Sequence, residues 1–151
     1  MLFRSRPTLL IVGCGDVGLR VVKLLRGRYR LLALTSSQAR AQTLRDAGVV
    51  PLLGNLDDAA TLARLAGLAD NVLHLAPPPL RGVSDPRTAR LLHALARQGC
   101  VRRIVYGSTS GVYGDCGGAQ FDETRRVNPG TDRARRRVDR SEERRVGKEC
   151  A

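Results

Sequence analysis

The 151-residue sequence predicts an α/β protein built on a doubly wound parallel sheet. Three observations carry this reading. Short apolar runs alternate with helix-like stretches from Thr8 to Tyr106. The first apolar run ends in a glycine turn that opens a helix. Aromatic residues make up only 3% of the chain, against 42% hydrophobic, so the core has to be built from Leu, Val, Ala and Ile. Those are the side chains of parallel strands buried on both faces.

The elements follow in order. Thr8-Leu9-Leu10-Ile11-Val12 is a buried strand, and Val17, Val21, Val22, Leu24 and Leu25 line the helix that follows it, up to about Arg28. Arg30 to Leu34 is a second strand. A helix runs from Gln38 to Ala47, capped by Ser36 or Ser37 and closed by Gly48. Val49 to Leu53 is a third strand, and Pro51 puts it at an edge or makes it start late, because proline cannot donate to a ladder. Asp57 or Asp58 caps a short helix to about Ala66. Asn71 to Ala76 is a fourth strand, halted by Pro77-Pro78-Pro79. A helix from about Pro86 to Gln98 closes at Gly99, and Arg103 to Tyr106 is the fifth strand. Right-handed crossovers then order the sheet 3-2-1-4-5. A ligand crevice belongs outside the carboxyl ends of strands one and four. The glycine turn, Ala76-Pro77-Pro78 and Ser108-Thr109 are expected to converge there.

The turn reads Gly13-Cys14-Gly15-Asp16-Val17-Gly18, a G-x-G-x-x-G between strand and helix. Gly13 permits the tight turn, Gly15 lets a pyrophosphate approach the backbone, and Gly18 allows the helix to pack on the strand. The free N–H groups at the helix start, from Asp16 and Val17 onward, suit phosphate. This context points to dinucleotide binding. An NAD site requires a carboxylate at the end of strand two, for the ribose 2′-hydroxyl. That end is Leu34-Thr35-Ser36-Ser37, with no acid, and Arg40 follows. Ser36 and Arg40, beside Thr35 in the cofactor site, can therefore take a 2′-phosphate, and NADP is expected over NAD; the alternative for Arg40 is a solvated helix residue.

The formal charge is +12, and arginine supplies 24 of the 26 basic residues. No aromatic interleaving accompanies the charge, so nucleic acid is not the expected partner. The four cysteines, Cys14, Cys100, Cys116 and Cys150, form no C-x-x-C pair. They suit a reduced, cytoplasmic protein without a metal site. Arg4 and Arg6 before Ile11-Val12-Gly13-Cys14 imitate a lipoprotein box, but the apolar run is short of the roughly 7–15 residues that a secretory segment needs. No membrane segment is expected.

Further motifs lie downstream. Val105 to Asp115 reads V-Y-G-S-T-S-G-V-Y-G-D. Asp70-Asn71-Val72-Leu73-His74-Leu75-Ala76 precedes it, as do Gly54-Asn55-Leu56-Asp57. Phe121-Asp122-Glu123-Thr124 and Asn128-Pro129 follow it. Together, in this order, they resemble the extended or atypical short-chain dehydrogenase/reductase superfamily, its NAD-dependent epimerase/dehydratase branch. The resemblance covers residues 8 to about 139, read as a Rossmann-type NAD(P)-binding domain (1–139) lacking its C-terminal part. It implies an oxidoreductase or epimerase acting on a carbonyl or hydroxyl of a small-molecule substrate, and it admits a homodimer. It brings Asn55, Leu56, Ala76, Pro77 and Ser108 into the cofactor site.

The resemblance makes Thr109 the substrate-side hydroxyl; the alternative is a loop hydroxyl that satisfies its own backbone. Ser110-Gly111 stand where dehydratases carry Asp-Glu, so dehydration is not expected. Counting from Pro129, the family's Y-x-x-x-K places Arg133 at the Tyr and Arg137 at the Lys. Arg137 can still serve ribose hydroxyls as a cation, but Arg133 cannot exchange a proton near neutrality. Tyr113 is the nearest spare phenol. These departures keep open a second function, a dinucleotide-binding sensor or scaffold without chemistry. Finally, Arg140 to Cys150 matches one reading frame of a common short-read sequencing adapter, so residues 140–151 are expected to be a non-native tail.

Overall fold

The computed structural model describes residues 6–82, 84–99 and 101–138. The expected 140–151 tail lies outside the described residues. The chain divides into two compact units. One comprises Met1–Pro77 and Arg87–Gly107, the other Pro78–Pro86 and Ser108–Ala151.

The first unit holds a five-stranded sheet in the order β3-β2-β1-β4-β5. Its strands are β1 (Thr8–Val12), β2 (Arg30–Thr35), β3 (Val50–Leu53), β4 (Asn71–His74) and β5 (Arg103–Tyr106). Every pairing is parallel. The helices are α1 (Asp16–Leu25), α2 (Gln38–Asp46) and α3 (Pro86–Ala96), with a 3₁₀ helix, Ala59–Leu65, between β3 and β4. The expected class and strand order are those observed.

Strand periodicity builds two cores from one sheet. Leu10, Val12, Leu32, Leu34 and Val72 pack with Leu62, Leu65 and Leu91 of the 3₁₀ helix and α3. Leu9, Ile11, Leu31 and Ala33 point the other way, onto Val22 of α1 and Leu44 of α2. Burial on both faces is why β1 and β2 read as continuous apolar runs.

Several boundaries differ from the sequence reading, each for a local reason. Strand β4 stops at His74 because the N–H groups of Leu75 and Ala76 both turn onto the carbonyl of Val12, at 2.7 and 2.9 Å. The segment capped by Asp58 winds as a 3₁₀ helix. In α1 the inward stripe is Gly18 and Val22, while Val17 and Leu24 are 60% and 76% exposed and so lie outside the core. Pro51 does sit on an edge strand, and Ser37 caps α2 by accepting the N–H of Arg40.

The second unit carries a 3₁₀ turn, Ser110–Tyr113, and a helix over 132–138. The N–H of Asn128 donates to the carbonyl of Val112 at 2.9 Å. Gly114 has φ +72°, and a Cβ there would run into the carbonyl oxygen of Asn128. The V-Y-G and N-P segments thus meet, and their meeting requires the glycine.

Candidate functional site

The sheet order reverses between β1 and β4, and a crevice opens there at the carboxyl ends of the strands. Gly13 forms its floor. Its φ is +85°, and a Cβ would strike the backbone of Ala76, which the β4 curl brings onto the turn. Gly15 differs: nothing stands within 4 Å of where its Cβ would be. It precedes α1 with no side chain capping the helix. The first turn of α1 therefore presents backbone N–H groups beside an open cradle, which is the chemistry that holds a phosphate. Gly18 lies underneath, where a Cβ would press on Cys14 Sγ at 3.0 Å and Ile11 at 3.4 Å.

A pocket of about 380 Å³ extends from this turn toward the ends of β2 and β3. That volume lies within the roughly 300–1,000 Å³ of small-molecule clefts. Of the residues expected at a cofactor, Gly13, Gly15, Thr35, Ser36 and Arg40 line it, as do Asn55, Leu56, Ala76 and Pro77. Among the described residues, no carboxylate lines it. Asp16, Val17 and Gly18 do not. Asp16 turns outward to pair with Arg20 at 3.0 Å, and both side chains are exposed.

Arg40 reaches back from α2, and its Nη2 donates to the carbonyl of Cys14 at 2.9 Å. A guanidinium is thereby fastened beside the glycine turn and Ser36. Burial pushes the Cys14 thiol pKa up, and the charge of Arg40 opposes this.

Across the pocket, the loop after β3 is tied down. The Asn55 N–H donates to Thr61 Oγ1 at 2.8 Å, and the Asp57 N–H to Asn55 Oδ1 at 2.9 Å. Arg87 also lines the pocket and grips both carboxylate oxygens of Asp57. Sequence reasoning missed Arg87, and no motif marks it. Its place depends on how α3 packs beside the 3₁₀ helix.

The other expected site residues, Ser108, Thr109, Tyr113 and Arg137, belong to the second unit. Thr109 is exposed and caps the Ser110–Tyr113 turn, its hydroxyl accepting the Gly111 N–H at 3.5 Å. Tyr113 packs on Phe121 with ring centroids 4.9 Å apart. In the helix over 132–138, Arg133 is exposed while Arg137 is 7% exposed. Arg136, which motif counting passed over, is 2% exposed. Its guanidinium donates to the carbonyls of Pro79, Leu80 and Gly82.

No described helix is long and apolar enough to cross a membrane. Among the described residues, no cluster of three or more His, Cys, Asp or Glu could hold a metal.

A glycine turn opening a helix at the switch point of a 3-2-1-4-5 sheet defines a Rossmann-type α/β protein. The profile of the NAD(P)H-binding family matches residues 13–142, and the chain belongs to that family. No curated protein sequence matches it. Solved structures do. A conserved protein of unknown function from Silicibacter pomeroyi is 29% identical, with TM-score 0.68 over 90% of this chain and 47% of its own. A short-chain dehydrogenase/reductase superfamily protein from Agrobacterium tumefaciens, solved with bound NAD, is 24% identical, with TM-score 0.69 over 89% and 43%. A UDP-glucose 4-epimerase from Bifidobacterium longum, solved with NAD+ and UDP, is 19% identical, with TM-score 0.71 over 92% and 48%. The chain thus spans about half the length of these neighbours. The fold it shares with epimerases and short-chain dehydrogenases accords with the resemblance read from its motifs.

Proposed function

We propose that the pocket beside the glycine turn receives the adenosine half of NADP(H), with the pyrophosphate over Gly15 and the first turn of α1. The carrying observation is the pairing of that open cradle with Arg40. Its guanidinium is already fixed by the Cys14 carbonyl, and among the described residues no carboxylate lines the pocket to repel a 2′-phosphate. Ser36 and Arg40 are assigned to the 2′-phosphate, Thr35 and Asn55 to ribose and base, and Ala76-Pro77 to the passage toward the nicotinamide. Fluorescence titration with NADPH and NADH tests this: NADPH should bind the tighter of the two. Equal binding would remove the assignment to Arg40, and no binding would remove the pocket.

In the whole protein, the reading extends to an oxidoreductase or epimerase working on a carbonyl or hydroxyl of a small molecule. The bound nicotinamide would supply the hydride acceptor or donor. Thr109 would offer its hydroxyl to the substrate oxygen, and Ser108 and Arg137 would complete the cofactor side. A cytosolic setting goes with this, supported by four scattered cysteines that form no C-x-x-C pair.

A second reading, a dinucleotide-binding sensor or scaffold, is favoured by one observation. The positions counted as Tyr and Lys are arginines, one exposed and one buried, and a guanidinium exchanges no proton near neutrality. Oxidation of NADPH by a panel of aldehydes and ketones, abolished in Thr109→Ala, would decide for the enzyme. Binding without turnover across the panel would decide for the module.

A further inference from the structure

The pocket has two walls of different construction. The glycine turn and the ends of β1 and β2 are held by the sheet. The opposite wall, Gly54-Asn55-Leu56, belongs to the loop between β3 and the 3₁₀ helix. Besides the bonds from the Gly54 N–H to the Thr35 carbonyl and from the Asn55 N–H to Thr61 Oγ1, it is fastened from the start of α3. Arg87 Nε donates to Asp57 Oδ1 at 2.8 Å, and Arg87 Nη2 to Oδ2 at 2.6 Å. This fork geometry fixes direction as well as distance. One turn on, Arg90 Nη1 donates to the carbonyl of Leu56 at 3.3 Å. Two arginines on one face of α3 thus hold consecutive residues of the loop.

We propose that the Asp57–Arg87 pair is a positioning device that holds the Asn55-Leu56 wall in the shape the nucleotide requires. This rests on the adenosine half of a dinucleotide occupying the pocket, as proposed above. The physical gain is preorganisation: a wall already ordered does not lose freedom when ligand arrives. Arg87 faces the pocket with its charge already engaged by the two carboxylate oxygens. Its role is therefore to place Asn55 and Leu56 through Asp57, distinct from the phosphate-facing role of Arg40. The pair is partly open to water, with side chains 28% and 47% exposed for Arg87 and Asp57. Its effect is therefore sensitive to ionic strength.

The test is a double-mutant cycle on the full chain, with Arg87→Ala, Asp57→Ala and both together, titrated with NADPH and with 2′,5′-ADP. Each single variant should weaken both ligands by about 3- to 10-fold, and the double variant by no more than either single. At about 0.5 M salt the gap from wild type should narrow. Arg87→Lys should recover part of the loss. Thermal midpoints taken alongside separate positioning from folding. Variants that melt earlier yet bind both ligands as wild type does would make the pair merely structural and overturn the proposal. Loss in Arg87→Ala with no loss in Asp57→Ala would overturn it differently, by making Arg87 a direct ligand contact. If wild type binds neither probe, the pocket assignment itself has failed. Wild-type binding with unchanged variants condemns only the positioning role.

Discussion

Replacing Arg40 by alanine should convert a cofactor preference into indifference. A hydrogen bond between a charged donor and a charged acceptor contributes about 1.5–3 kcal/mol. Arg40 is on the surface, where solvent screens it, so the lower end applies. At about 1.4 kcal/mol per tenfold, NADPH affinity should fall about 10-fold. The anchor on the Cys14 carbonyl, 2.9 Å away, supports a value no smaller than this, since the side chain is ordered before ligand binds. NADH lacks the 2′-phosphate, and its affinity should change less than about twofold. Calorimetric titration of both cofactors, at low salt and again at about 0.5 M, gives the comparison; the NADPH-specific loss should shrink at high salt. The reciprocal variant, Ser36→Asp, places a carboxylate at the end of β2 and should reverse the order of the two cofactors. Equal losses for NADPH and NADH in Arg40→Ala would refute the reasoning. So would an unchanged NADPH affinity.

Other expectations follow from the same geometry. Gly13→Ala should destabilise the fold by at least about 2 kcal/mol in urea melts, because a positive φ and a collision with the Ala76 backbone act together. Gly15→Ala, with φ −86° and open space around the new Cβ, should leave the urea midpoint within about 1 kcal/mol of wild type while weakening NADPH. Asp57 gives a pH signature. The hydrogen bonds from Arg87 hold its carboxyl below the usual range, and the charges of Arg87 and Arg90 add to this. A lowered folded pKa means stabilisation present at neutral pH and lost as pH falls through that value. The small advantage of wild type over Arg87→Ala, under about 1 kcal/mol for so exposed a pair, should disappear in acid urea melts. Cys14 should react slowly with iodoacetamide at neutral pH, because burial raises its thiol pKa. Reaction as fast as in the urea-unfolded chain would contradict its buried place.

The parts legible in the sequence are those whose reasons are local. Thr8 to Gly18 declares a strand, a turn and a helix because each residue type answers a backbone need at its own position. Gly13 proved to have a positive φ, and Gly18 to sit closely against Cys14 and Ile11, its neighbours in the chain. Strand order followed from alternation and handedness, neither of which depends on detail. What stayed hidden depends on packing between distant segments. Which apolar residues of α1 face inward was not legible, as at the exposed Val17 and Leu24, because an apolar side chain does not state which way it points. Arg87 carries no motif and reaches the pocket only through the placement of α3. In 132–138, counting from Pro129 picks Arg133 and Arg137, yet the burial of Arg136 against three loop carbonyls follows from helix phase, which counting does not supply.

The central claim is that a dinucleotide lies on the glycine turn and the ends of β2 and β3. The most direct measurement is amide chemical-shift mapping by NMR during NADPH titration. Saturable shifts should concentrate at Gly13 to Gly18, Thr35 to Arg40, Gly54 to Leu56 and Ala76, with larger changes at Ser36 and Arg40 for NADPH than for NADH. Shifts confined to the basic residues at the other end of the sheet, such as Arg6, Arg28 and Arg30, or no saturable shifts at all, would contradict it.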